Sequence, residues 1–123
     1  VMQSAPVIGH GTGSLRERLS RAALAEGKRP TANPHNQSLT VGIQLGFAGV
    51  LLLVAMWAAH GALFLRGSGI VAWIGLAIVA QNFMGCLFNS QLFDFVQGWV
   101  YLFGVGAAGG VVLAQSQGAK ALS

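Results

Sequence analysis

Three long apolar stretches dominate the sequence after residue 38, and they decide what the chain can fold into. They run from about 39 to 65, from 70 to 88 and from 95 to 113. A helix needs about 20 apolar residues to cross a bilayer, and each stretch is close to or above that length. Hydrophobic residues make up 54% of the chain and charged residues only 8%, too few for a water-exposed surface. We therefore predict an all-α membrane protein with three transmembrane helices.

Short polar sequences separate these stretches. Residues 66–69 (RGSG) are predicted to form a tight turn, 89–94 (NSQLFD) a polar break, and AQSQGAKALS a frayed C-terminal tail. The chain thus divides into a polar loop segment, 1–38, and a three-helix region with its tail, 39–123. The opening VMQSAPVIGHGTG lacks the basic and then apolar pattern of a signal peptide. We expect the chain to be the C-terminal piece of a larger multi-pass bundle.

The polar segment contains one predicted amphipathic helix, SLRERLSRAALAEG. Ser14 and Glu17 have the spacing of a capping box, and Gly27 is a plausible stop. Pro30 and Pro34 are expected to keep the following stretch extended. Four apolar residues fall on one face of the helix, namely Leu15, Leu19, Ala22 and Ala23.

Alternation of the spans places distant polar residues on one side of the membrane. His35 and Asn36 precede the first span, and the Asn89–Asp94 turn joins the second to the third. Both therefore lie on the same face. The positive-inside rule, applied to this chain alone, puts that face in the cytoplasm. If further helices precede the chain, they set the orientation instead, and both possibilities stay open.

Five of the seven basic residues precede the first apolar stretch. They fit a segment that lies against anionic lipid headgroups, and they equally fit an anion site for a phosphorylated substrate. The single cysteine, Cys86, lies within an apolar stretch and is interpreted as a packing residue.

Two glycine patterns invite a functional interpretation. GHGTG, residues 9–13, superficially resembles a phosphate loop but lacks the preceding strand and the P-loop spacing, so it predicts a turn and no nucleotide site. Pairs with G-x-x-x-G spacing, Gly42 with Gly46 and Gly106 with Gly110, predict close approach of helices.

Polar side chains inside the spans are mostly expected to bond neighbouring helices. This applies to His60 in the first span and to Gln81 and Asn82 in the second. Asp94 is the only acidic residue at or after the first span. At a span boundary it is either an anchor or part of a site, and the sequence leaves both open.

His35 is the strongest candidate for chemistry. A proline precedes it and a predicted helix follows it. It has no H-E-x-x-H partner and no cysteine ligands, so a metal site is not indicated. A lone histidine can serve as a general base near neutral pH.

The surroundings of His35 resemble the signature of the O-antigen ligase family. His35 and Asn36 are followed, after nine residues, by Gly46, two residues and Gly49. The flank PVIGHGTGSLRE resembles the segment before the histidine in that family, and GCLFNSQLFDFVQGWVYLFGVGAAGG resembles the family's final helices. The resemblance covers nearly the whole chain, and O-antigen polymerases and O-linked oligosaccharyltransferases share it loosely.

The resemblance implies a multi-pass glycosyltransferase of the bacterial inner membrane, with its active site on the periplasmic face. The donor would be a glycan on undecaprenyl diphosphate, and the acceptor a sugar hydroxyl of lipid A–core. His35 matches the catalytic base, and arginines contact the diphosphate without a metal or other cofactor. Asn36, Asn89 and Asp94 are candidates for orienting the histidine or binding sugar.

This chain departs from the family in two ways. It has three predicted helices where the family has about a dozen, so the missing N-terminal helices are expected partners and the piece alone is expected to be inactive. The family's usual arginine lies upstream of GHGTG, which leaves Arg16 as the candidate phosphate contact.

Three other interpretations remain open. An O-antigen polymerase or a protein-glycosylating ligase would differ only in the acceptor. A small non-catalytic membrane subunit would explain three glycine-rich helices and a basic arm. No nucleic-acid partner is expected, whereas membrane lipids are.

Overall fold

The computed structural model describes residues 5–29 and 35–121 and contains four α-helices within them. These are α1 (Leu15–Ala25), α2 (Gln37–Arg66), α3 (Gly69–Phe88) and α4 (Phe95–Ala121), with a 3₁₀ turn at Gln91–Phe93. The last three helices are long and apolar enough to cross a membrane. The predicted all-α fold class with three candidate membrane spans is therefore confirmed. The extended stretch expected at Pro30 and Pro34 lies outside the described residues.

The apolar stretches located the ends of the three long helices well, except at the C terminus. The predicted tail is not frayed, because α4 continues through Ala121. Its last turns contain alanine and glutamine, which favour helix strongly enough to extend it beyond the apolar stretch.

The short helix α1 forms where the sequence predicts it, but it does not start with a capping box. Ser14 is the N-cap with helical dihedrals (φ −73°, ψ −12°), and its hydroxyl donates to Gly11 O at 2.7 Å. A capping side chain needs extended backbone to face the third N–H of the helix, so the prediction was wrong. Glu17 pairs instead with Arg21, one turn later, at 2.5 Å. The predicted apolar face is the half-buried one.

Two compact units make up the chain. The first comprises Val1–Ala55 and Gly85–Ser90, and the second comprises Met56–Met84 and Gln91–Ser123. Buried residues of the first unit include Val41, Ile43, Leu53 and Cys86, with the polar Gln37, Thr40 and Ser90. Buried residues of the second include Trp57, Phe64, Val79, Tyr101, Val105 and Val112, with the polar Asn82.

Glycines allow close packing in the second unit, at positions that the G-x-x-x-G spacing did not predict. A Cβ at Gly106 or Gly110 would meet nothing within 4 Å. The close contacts lie instead at Gly75, which packs against the ring of Phe64, and at Gly104, which packs against Ile78.

Polar side chains within the spans of this unit form the expected bonds, with one difference. Trp57 Nε1 donates to Asn82 Oδ1 at 3.1 Å, and His60 Nδ1 lies 2.8 Å from the hydroxyl of Tyr101. Gln81, however, contacts the 3₁₀ turn rather than a helix, with Gln91 Oε1 at 3.4 Å.

Candidate functional site

A break in α2 is the most distinctive feature of the first unit. Gly46 has φ 65° and ψ −159°, a region of backbone space that is essentially restricted to glycine. The apolar helix is therefore two helices in succession, residues 37–45 and 47–66. The second of these alone has the roughly 20 residues that a membrane span requires.

The polar segment before α1 fills this break. His10 N donates to Ile43 O at 3.0 Å, and Gly11 N donates to Gln44 O at 2.9 Å. In return, Pro6 O accepts from Phe47 N and Val7 O accepts from Ala48 N, at 2.8 and 3.2 Å. The loop thus satisfies both the carbonyls and the N–H groups that the break releases. Such pairing is what makes non-helical backbone tolerable in an apolar segment.

Side chains strengthen the same contact. His10 Nδ1 lies 3.1 Å from Ile43 O, and since a carbonyl only accepts, Nδ1 carries the proton. Gln44 Oε1 accepts from Gly13 N at 2.8 Å. The backbones of Gly9 and Gly46 approach each other closely. A Cβ on Gly9 would collide with the backbone of α2, and a Cβ on Gly46 would collide with the backbone of the loop. Gly9 of the GHGTG segment therefore allows the loop to dock closely on α2.

His35 lies two residues before α2 and has a left-handed backbone, with φ 51°. Its side chain is exposed. Positive φ is uncommon for residues other than glycine, and such strain is often found at functional positions. The residue that follows, Asn36, is fixed by side-chain hydrogen bonds.

Asn36 makes two side-chain hydrogen bonds that fix the start of α2. Its Oδ1 accepts from Leu39 N at 3.0 Å, as an N-cap does, and its Nδ2 donates to Leu87 O at 3.0 Å. Leu87 belongs to the last turn of α3. The beginning of α2 therefore lies against the end of α3.

A buried hydroxyl pair repeats this link one turn further along. Thr40 Oγ1 donates to Asn36 O at 2.9 Å and lies 2.8 Å from Ser90 Oγ. Because Thr40 has only one hydroxyl proton, Ser90 is the donor between the two side chains. Asn89, which precedes it, is exposed and accepts from Ser90 N with its own Oδ1 at 2.9 Å. The structure therefore brings Asn36 and the Asn89 turn together.

Asp94 belongs to the second unit, where it caps α4. Its Oδ1 accepts from Val96 N and from Gln97 N, both at 3.1 Å. It also lines a cavity of about 580 Å³ together with the His60–Tyr101 pair and several aromatic side chains. These two hydrogen bonds give Asp94 a structural role at the start of α4.

Arg16, the candidate phosphate contact, is exposed on α1. Neighbouring cations are engaged: Arg21 pairs with Glu17, and Lys28 pairs with Glu26 at 2.6 Å. The hydrogen bond from Lys28, together with its charge, lowers the pKa of the Glu26 carboxyl. Within residues 5–29 and 35–121, no three His, Cys, Asp or Glu side chains are grouped closely enough to hold a metal ion.

Comparison of the chain with protein-family models, with curated proteins and with solved structures finds no match. The functional proposal below therefore depends on the residues and contacts described above and on the motif around His35.

Sequence reasoning missed the broken helix and the loop that fills it. One signal was present, a glycine inside an apolar stretch combined with a glycine-rich segment upstream, since interrupted apolar segments often mark sites in membrane proteins. The strained backbone of His35 had no sequence signal apart from its place between a proline and a helix.

Proposed function

We propose that the chain is the C-terminal part of an O-antigen ligase-like glycosyltransferase with His35 as general base. The donor is a glycan carried by undecaprenyl diphosphate in the bacterial inner membrane, and the acceptor is a sugar hydroxyl of lipid A–core at the periplasmic face. The reaction as proposed needs no metal.

The placement of His35 is the observation that carries this proposal. An exposed imidazole stands on a left-handed backbone immediately before a residue whose side chain is bonded to both α2 and α3. The two glycine positions of the motif, Gly46 and Gly49, are also constrained by close packing. Gly46 admits the loop that docks on α2, and a Cβ at Gly49 would collide with Leu45, so neither position accepts a larger residue easily.

The chemistry follows from an imidazole at the start of an apolar helix. His35 removes the proton of the acceptor hydroxyl as its oxygen attacks the anomeric carbon of the donor sugar. The bond between that carbon and the diphosphate oxygen breaks, and the diphosphate leaves with the electron pair. Guanidinium groups stabilise the charge that develops on it, and Arg16 is the candidate in this chain.

The contacts of the asparagines and Asp94 support different roles for them in the proposed reaction. Both polar atoms of the Asn36 side chain are engaged with backbone groups, which favours a positioning role over sugar binding. Asn89 is exposed and is the better candidate for a sugar contact. Asp94 caps α4, so its substitution would act on α4 as well as on any sugar bound near it.

The proposal is tested by replacing His35 with alanine in the full-length protein and measuring glycan transfer to lipid A–core. We expect transfer to fall by about 10²- to 10⁴-fold, the usual contribution of a general base. His60→Ala is the matched control, because it removes an imidazole that is bonded to Tyr101 within the spans.

Each alternative gives a different result in this assay. Unchanged transfer in His35→Ala would refute the role of His35. Growth of a glycan ladder without capping of lipid A–core would identify a polymerase, and glycan appearing on protein would identify a protein-glycosylating ligase. Absence of any transfer by the wild-type protein would favour a non-catalytic subunit.

A further inference from the structure

A second cavity lies in the second unit, at the end of α2. Its volume is about 690 Å³. Its polar lining residues are Arg66 and Ser68, at and just after the end of α2, and Gln115 and Ser116 of α4. Its apolar end is formed by Ala59, Ala62 and Leu63, which precede Arg66 on α2, and the apolar Val112, Leu113 and Ala119 of α4 also line it. No part of the proposed glycan transfer uses this cavity.

The polarity changes in the same direction on both walls. On α2, seven residues separate Ala59 from Arg66, which corresponds to about 10 Å along the helix. On α4, the apolar Val112 and Leu113 are followed within one turn by Gln115 and Ser116. Such a gradient at the end of membrane-spanning helices matches the boundary between acyl chains and headgroups.

A tight contact borders the cavity next to Arg66. A Cβ at Gly67 would lie 2.8 Å from Val112 Cγ1, so the turn between α2 and α3 packs directly against α4. Gly67 N also donates to Phe64 O at 3.1 Å, which ends α2 in a defined conformation. The cavity therefore has a defined wall where the turn after Arg66 meets α4, and Arg66 lines the cavity beside it.

We propose that this cavity binds one acidic phospholipid. The phosphate lies beside Arg66, with Ser68 and Gln115 as further hydrogen-bond donors, and an acyl chain lies against the alanines of α2. The charge of the lining residues selects the ligand, because Arg66 is the charged residue among them and it is cationic. A guanidinium favours a phosphate group of net negative charge over a zwitterionic headgroup.

The alternatives to a bound acidic lipid give different observations. Arg66 alone, as a cation at a helix C-terminus, would interact with headgroups in general and would not require the apolar end of the cavity. A helix from elsewhere in the full-length protein would exclude lipid altogether.

The test is native mass spectrometry of the full-length protein with phosphatidylglycerol or phosphatidylcholine of identical acyl chains. We expect one phosphatidylglycerol to be retained at least about tenfold more strongly than phosphatidylcholine, since a charge-assisted hydrogen bond accounts for a factor of that order. Arg66→Gln should remove this preference. Arg29→Gln, which changes an exposed arginine outside the cavity, should keep it.

A second pair of variants tests the apolar end. Ala62→Phe fills the cavity while Arg66 is kept, and should reduce phosphatidylglycerol retention about tenfold or more, the factor expected when an acyl chain loses a few buried methylenes. Ala58→Phe adds the same ring to an exposed position on α2 and should have little effect. Equal retention of the two lipids, or loss caused equally by Arg29→Gln or Ala58→Phe, would overturn the proposal.

Discussion

Replacing Gly46 by alanine tests whether the loop at residues 5–13 docks on the break in α2 and stabilises it. The dihedrals of Gly46 place it where L-residues are rarely found, at a cost of about 1–3 kcal/mol for alanine. The added Cβ would also collide with the carbonyl of Val7. Because both partners in that collision are backbone, rotation of a side chain cannot relieve it.

The Gly46→Ala protein can either keep the loop docked or release it, and the loss of stability equals the cost of the less costly state. With the loop docked, alanine retains both the strain and the collision. With the loop displaced, four backbone hydrogen bonds are lost, each contributing about 0.5–1.5 kcal/mol, together with those of His10 Nδ1 and Gln44 Oε1. These six bonds together contribute about 3–9 kcal/mol. We therefore expect displacement of the loop, at a cost near the lower end of that range, about 3–4 kcal/mol.

Hydrogen exchange measures this directly. At 1.4 kcal/mol per factor of ten, exchange of the amides of His10, Gly11, Phe47 and Ala48 should accelerate by about 10²- to 10³-fold in Gly46→Ala. Gly110→Ala is the matched control, since a Cβ there meets nothing within 4 Å and alanine favours helix. Wild-type protection of these four amides in Gly46→Ala would refute the docking of the loop.

Three further predictions concern single contacts and the membrane topology. Asn36→Leu should lower stability by about 1–3 kcal/mol in a denaturant titration, because it removes the cap of α2 and the bond to α3, and an unchanged midpoint would contradict this. Tyr101→Phe should cost about 0.5–1.5 kcal/mol, and a double-mutant cycle with His60→Ala should show that the two losses are not additive; additive losses would argue against the bond. Cysteines introduced at Asn89 and at Ser68, in a background without the native cysteine, should react with an impermeant reagent from opposite sides of the membrane, because α3 separates them; labelling from the same side would exclude α3 as a span.

The helices could be predicted because hydropathy and length are properties of whole stretches. The ends of α3 and the start of α4 followed from the polar breaks on either side of them. The end of α4 did not, since helix propensity rather than hydropathy decides the state of its polar last turns.

The break at Gly46 could not be located because hydropathy does not change at a single glycine. Its docking partner is also distant in sequence: His10 and Ile43 are 33 residues apart. The same holds for Asn36, whose polarity predicted a site residue but whose bond to Leu87 spans 51 residues. Spacing along a helix indicates which residues share a face, but the partner on another segment depends on tertiary packing.

The most direct test of the central proposal is His35→Gly in the full-length protein, assayed with and without added imidazole. Glycine adopts the left-handed backbone of residue 35 without strain, so the start of α2 is preserved while the imidazole is removed. We expect transfer of the undecaprenyl-diphosphate-linked glycan to fall by about 10²- to 10⁴-fold and to recover in part with exogenous imidazole. Full transfer by His35→Gly without imidazole would contradict the role of His35 as the base.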